Sequence, residues 1–193
     1  MTLADPIRVV TKVTKVLQDL GIHYLVGGSL ASSLHGIPRA TQDVDIVADL
    51  AENQIEEIAA LLSQSFYIDI EMARDAVKRR SSFNIIDKEY FFKIDIFVQG
   101  PDDISAIEME RRVIYQVADS NDQSIYVCSP EDIIAHKLYW YKLGNGVSER
   151  QWNDAVNVIK VQKERLDIDY LKRTCRARGV PELLEKAIKS IGA

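Results

Sequence analysis

Val9, Val13, Val16, Leu17 and Leu20 recur three and four residues apart, which lines apolar side chains along one stripe of a helix, and Gly21 follows as a stop. The pattern predicts an amphipathic first helix covering one face of a sheet. His23-Tyr24-Leu25-Val26 then reads as a short buried strand. It runs into Gly27-Gly28-Ser29, after which Leu30 to Leu34 returns to helical character, giving strand, tight turn and helix. Past the breakers Gly36 and Pro38, Asp43-Val44-Asp45-Ile46-Val47-Ala48 alternates polar and apolar residues with the period of a strand. Asp43 and Asp45 therefore share one face.

Ile55, Ile58, Ala59 and Leu62 mark another helix, Phe66-Tyr67-Ile68 a short strand, and the charged segment through Arg80 a further helix. Ser82 to Ile86 and Tyr90 to Val98 read as strands, with Asp87-Lys88-Glu89 as the hairpin turn between them. Strand-like segments at 113–115 and 125–127 close the mixed part, and from Ser129 the pattern is helical to the end. Ser129-Pro130-Glu131-Asp132 combines a cap, a first-turn proline and first-turn carboxylates. Gly144-Asn145-Gly146 ends that helix, and Ser148 with Gln151 forms a second capping box. The expected fold class is α/β (α+β): a small mixed, twisted sheet flanked by helices over residues 1–128, then a helical subdomain over 129–193.

Composition leaves this picture standing. Of 193 residues 47% are apolar and 27% charged, values of an ordinary globular chain. The uncharged stretch from Leu20 to Pro38 is too rich in glycine, serine and histidine to span a membrane. Met1 to Pro6 lacks a basic segment followed by an apolar one, so no secretory leader is expected, and the cytoplasm is the expected location. Cys128 and Cys175 lack metal or redox spacing and read as buried or half-buried thiols. A net charge of −5 gives no general attraction to nucleic acid, although Lys78-Arg79-Arg80 and Arg111-Arg112 could form local basic patches.

Two carboxylates at i and i+2 of a strand project together with Cα atoms roughly 6 to 7 Å apart. They can share hard cations such as Mg2+, and a third carboxylate on a neighbouring strand would complete a two-ion site. Asp95 is the candidate, because it interrupts an apolar strand where an uncompensated charge would be costly. The plainer alternative is a half-exposed strand with solvated carboxylates. Gly27-Gly28-Ser29 offers backbone that a phosphate can approach, with a helix start behind it. The alternative there is a simple strand-to-helix turn.

Gly27-Gly28-Ser29, thirteen intervening residues, and then Asp43-Val44-Asp45-Ile46 resembles the signature of DNA polymerase beta-like nucleotidyltransferases. The fuller run, with Gly36-Ile37-Pro38-Arg39-Ala40-Thr41-Gln42 before the aspartates, is similar to the minimal bacterial nucleotidyltransferases, including the abortive-infection type toxins. The resemblance is strongest over 24–48, adequate around Lys93 to Phe97 and weaker in the tail. It implies that Gly27, Gly28 and Ser29 hold nucleotide phosphates, that Asp43 and Asp45 bind metal, and that Asp95 is the third carboxylate and activates the attacking hydroxyl. Two Mg2+ ions and a nucleoside triphosphate such as ATP are implied with them. The reaction implied is transfer of a nucleoside monophosphate to a hydroxyl of RNA or tRNA, of protein or of a small molecule, with release of pyrophosphate. A catalytically inactive nucleotide-binding regulator or toxin–antitoxin component of the same fold, with an antitoxin as partner, is the alternative.

Ala135-His136-Lys137-Leu138 and Arg150 to Asp154 resemble the lysine and Arg-x-x-Asp features of the abortive-infection group, but Asp154 comes one position late. Lys137 could neutralise a triphosphate, or be a solvated helical lysine. Asp154 is expected to make no more than an i,i+4 pair with Arg150. Arg39 could meet phosphate or hold a carboxylate, and Thr41 could brace the turn. His35 is read as structural, since no nucleophile is spaced with it. The pairs Asp69/Glu71 and Asp167/Asp169 repeat the i, i+2 spacing without an upstream glycine turn and serve as controls. An aspartyl phosphatase and a sugar transferase also use Asp-x-Asp; the polar lead-in Arg39-Ala40-Thr41-Gln42 and the short preceding chain argue against both.

Overall fold

The alternating segments become strands whose apolar members face one way. In β2 (Asp43–Ala48) Val44, Ile46 and Ala48 are buried, and in β5 (Lys93–Val98) Ile94, Ile96 and Val98 are buried. The computed structural model describes residues 4–117 and 123–191. Met1 to Leu3, on which the leader reading partly rests, lie outside the described residues. Strands β1 (Tyr24–Val26), β3 (Phe66–Ile68), β4 (Ser82–Asp87), β6 (Val113–Gln116) and β7 (Ser124–Val127) complete a seven-stranded sheet in the order β3-β4-β5-β2-β1-β7-β6. The pairs β2/β5 and β1/β7 are parallel and the others antiparallel, so the sheet is mixed, as expected.

The chain divides into two compact units. The first comprises residues 1–27 and 40–127 and contains the whole sheet. Here α1 (Ala4–Asp19) buries Val9, Val10, Val13 and Leu17 and packs on β2 and β7, while α4 (Ile70–Arg79) packs on β4 and α3 (Ile55–Leu62) on both helices. The second unit comprises 28–39 and 128–193. It holds α2 (Gly28–His35), α6 (Pro130–Leu143), α7 (Glu149–Gln162), α8 (Ile168–Ala177) and α9 (Pro181–Ile191). Its core includes Leu30, Ile134, Leu138, Val158, Leu171 and Leu184, with α2, α6 and α7 packed on one another. Cys128 and Cys175 are both buried, and burial pushes the Cys175 thiol up to about 12.

Two local departures have physical causes. A helix, α5 (Asp103–Glu110), stands where no helix was expected; its one buried residue is Met109, so periodicity is nearly silent, and it starts on the Asp102 side chain, which accepts the Ser105 N–H at 2.9 Å. The second strand of the central hairpin begins at Lys93 rather than Tyr90. The buried Asp87 carboxylate accepts the N–H groups of Glu89 and Tyr90 at 3.2 and 2.7 Å, and Phe91 takes a left-handed φ of 56°, which turns the chain before the ladder resumes.

Candidate active site

In the sheet unit the parallel pairing of β2 with β5 sets Asp45 directly opposite Asp95 and Asp43 opposite Lys93. The period of two places Asp43, Asp45, Lys93 and Asp95 together on the face away from the buried residues. Asn84 of β4 pairs with Asp95, so a row Asn84, Asp95, Asp45 crosses three strands. Beyond β1 the chain continues the ladder, with the Gly27 N–H donating to the Asp45 carbonyl at 2.8 Å. The glycine turn thus starts level with the central carboxylate. A Cβ added at Gly27 would meet nothing within 4 Å.

Thr41 is buried, and its hydroxyl lies 3.0 Å from the Asp43 carbonyl and 3.1 Å from Asp43 Oδ1. Lys93 is a residue the sequence reading passed over. Its ammonium lies 2.7 Å from Asp95 Oδ2. Its pKa is raised, first by that hydrogen bond and then by the charges of Asp95, Asp43 and Asp45. The signal visible in the sequence is a cationic residue at i−2 of the third aspartate, on the same strand face.

The Lys93 ammonium is itself a cation drawn into the field of these carboxylates, and the donor set is oxygen only, the chemistry that hard divalent ions select. In these terms the residues fit Mg2+. Among the described residues no group of three histidine, cysteine or acidic side chains is already gathered to hold an ion.

The remaining candidates lie in the helical unit. Gly28 has φ 57°, a left-handed conformation that lets strand pass to helix within one residue. Ser29 follows in the first turn of α2, and its hydroxyl accepts from Arg39 Nη2 at 2.8 Å. Arg39 Nε and Nη2 also donate to Oδ1 and Oδ2 of Asp154 at 2.8 and 2.7 Å, a bidentate fork. Lys137 Nζ lies 2.9 Å from Asp154 Oδ2, with both side chains nearly buried at 5% and 7% exposure. Ser32 Oγ is 3.2 Å from the same oxygen and 3.0 Å from the Ser29 carbonyl. Burial alone would raise the Asp154 carboxyl, but Arg39 and Lys137 outweigh it and hold it below the usual range.

Asp154 is therefore not the partner of a helical neighbour, as the spacing led us to expect. It gathers α2, α6 and the end of the 28–39 segment around one carboxylate. Lys137, for its part, is a buried ion-pair partner and not a solvated lysine. The partners stand 17 and 115 residues away in the chain, distances at which sequence spacing carries no signal.

His35 is buried, its Nε2 lies 2.8 Å from the Cys128 carbonyl, and burial lowers its pKa. It is structural, as read. Of the control pairs, Asp69 and Asp167 are helix caps, accepting the N–H of Met72 at 3.0 Å and of Tyr170 at 2.9 Å. The first basic cluster is paired locally: Lys78 with Glu52 at 3.0 Å, Arg79 with Asp75 at 2.9 Å and Arg80 with Asp49 at 3.8 Å. In the second, Arg112 lies over the Tyr126 ring at 4.6 Å. No helix of the described residues is long and apolar enough to cross a membrane.

Similarity to solved structures decides the fold. An antigenic nucleotidyltransferase-like protein from Paracoccidioides brasiliensis superposes with a TM-score of 0.58 at 17% identity, over 97% of this chain and 92% of that one. The fold is that of nucleotidyltransferase-like proteins. The antibiotic-resistance factor ANT(2'')-Ia gives a TM-score of 0.56 at 12% identity, over 96% of this chain and 98% of that one. A Thermotoga maritima protein assigned to the nucleotidyltransferases gives 0.51 at 19% identity, over 80% of this chain and 96% of that one. No protein-family model and no curated protein sequence matches the chain.

Proposed function

We propose that this chain is a metal-dependent nucleotidyltransferase that moves a nucleoside monophosphate from a triphosphate to a hydroxyl and releases pyrophosphate. The observation that carries the reading is the β2/β5 register, which puts Asp45 beside Asp95, with Asp43 on the same face and Gly27 bonded to Asp45. Asp43, Asp45 and Asp95 would hold the divalent ions. When bound, such ions supply positive charge to the phosphate oxygens and to the leaving pyrophosphate.

The residues themselves supply the rest. Thr41 fixes the Asp43 carboxylate, and Lys93 fixes that of Asp95. Asp95 would accept the proton of the acceptor hydroxyl as its oxygen closes on the α-phosphorus. The backbone at Gly27, Gly28 and Ser29 would take phosphate oxygens, with Arg39 and Lys137 as the balancing cations. The acceptor is an RNA or tRNA end, a protein hydroxyl or a small hydroxylated molecule. ANT(2'')-Ia, which shares the fold, has been solved in complex with adenylyl-2''-tobramycin, which favours the last of these for testing first.

Incubating the chain with Mg2+ and each labelled triphosphate, against tRNA, protein and aminoglycoside acceptors, should transfer label to one of them. Asp45→Ala should abolish that transfer, and equal labelling by the variant would sink the assignment. A second reading, a nucleotide-binding regulator or toxin–antitoxin component that does not transfer, draws on the Lys93 ammonium already seated at the third carboxylate. It predicts triphosphate binding with no labelled product from any acceptor.

A further inference from the structure

Asp154 is a buried carboxylate that accepts from both cations proposed to meet the nucleotide phosphates, Arg39 and Lys137. Arg39 and Lys137 both have many rotamers; left alone, neither would stay in one place. The bidentate bonds at 2.8 and 2.7 Å fix the plane of the Arg39 guanidinium, and the Ser29 hydroxyl at 2.8 Å takes a further Nη2 proton. The contact at 2.9 Å fixes the Lys137 ammonium on the second oxygen. Both cations are thereby anchored to one carboxylate near Ser29, where α2 begins.

We propose that Asp154 is the positioning residue of the phosphate site: it holds Arg39 and Lys137 in a fixed geometry that recognises the triphosphate rather than the nucleoside. Its own charge offsets one of the two cations, which allows both to be kept in a largely buried place while the cluster Arg39, Lys137, Asp154 retains an excess positive charge. Pre-ordering matters because the side-chain entropy is lost on folding and not again on binding. This inference rests on the nucleotidyltransferase reading, since it needs a triphosphate as ligand.

The test is calorimetric titration of the full chain with ATP, GTP, CTP and UTP and with the four nucleosides, in Mg2+ and without acceptor. Wild type should bind at least one triphosphate more tightly than its nucleoside. Asp154→Asn should weaken that triphosphate by about tenfold or more, the loss expected when a charge-assisted contact set is disordered, and leave the nucleoside unchanged. In the transfer assay the same variant should raise KM for the triphosphate more than it lowers kcat. A general structural defect would weaken both ligands alike.

Unchanged triphosphate affinity in Asp154→Asn overturns the inference and leaves the proposed function standing. No triphosphate preference in wild type overturns both. Should Asp154→Asn fail to unfold cooperatively, Asp154→Glu, which keeps the charge and displaces it by one methylene, decides. Selective loss of triphosphate binding supports positioning, and retained binding, or failure of both variants to fold, overturns it.

Discussion

Lys93 and Asp95 stand two residues apart on one strand face and show how a site can carry its own counter-charge. With the ammonium removed, Asp43, Asp45 and Asp95 would repel one another uncompensated. Lys93→Met should therefore melt at a higher temperature on adding Mg2+, by a larger increment than wild type, as followed by differential scanning calorimetry. Because the folded pKa of Lys93 is raised, its favourable pairing is complete below about pH 10.4 and is lost as pH rises through the folded value. At Gly28, φ 57° makes any side chain strained, so Gly28→Ala should cost about 1 to 2 kcal/mol by urea denaturation. Residues whose role comes from local geometry were legible in the sequence: the alternation at 43–48 placed Asp43 and Asp45 on one face, and Gly27-Gly28-Ser29 announced a turn. Asp154 was not, because what defines it is two cations brought from distant parts of the chain.

Elements were read well where one face is consistently apolar and their ends are chemically marked. Ser129 is the best marked end. Its hydroxyl accepts the Asp132 N–H at 3.1 Å and lies 2.6 Å from the fully buried Asp132 Oδ2, to whose partner oxygen Tyr170 donates at 2.7 Å. Ser129→Ala removes the cap and one partner of a buried carboxylate, and should cost about 1 to 2 kcal/mol in chemical denaturation. Gly36 carries the complementary lesson. A Cβ there would lie 2.9 Å from the Ser32 carbonyl and 3.0 Å from the Val158 backbone nitrogen of α7. Gly36→Val should thus force α2 from α7 and lower the unfolding midpoint by the equivalent of about 1 to 3 kcal/mol. In sequence Gly36 was a helix breaker and no more, because close approach between helices leaves no periodicity. The helix at 103–110 was invisible for the opposite reason: it buries almost nothing.

At the scale of the whole molecule, stability should depend on pH through His35. Burial depresses its folded pKa, so the unfolded chain binds the proton more readily. The His35 contribution is therefore full above about pH 6.5, where the ring is neutral in both states, and is lost as pH falls from there toward the folded value. The melting temperature of wild type should drop between pH 7 and 5 by more than that of His35→Gln, in the same buffers. The mixed sheet and the helical second part were both legible from the switch in periodicity at Ser129. What the linear order concealed is that twelve residues, 28–39, leave the sheet after Gly27 and return at Ala40.

That excursion bears on how the protein is made and where it can be divided. The helical unit lacks its first helix in any fragment that begins after Val127, and with it the guanidinium that anchors Asp154 and the close-packed partner of Val158. A fragment of residues 129–193 should therefore show no cooperative thermal transition by circular dichroism. Adding a synthetic peptide of residues 28–39 should partly restore one. During synthesis α2 must wait for about a hundred later residues before its partners emerge, so the sheet unit has the opportunity to fold first.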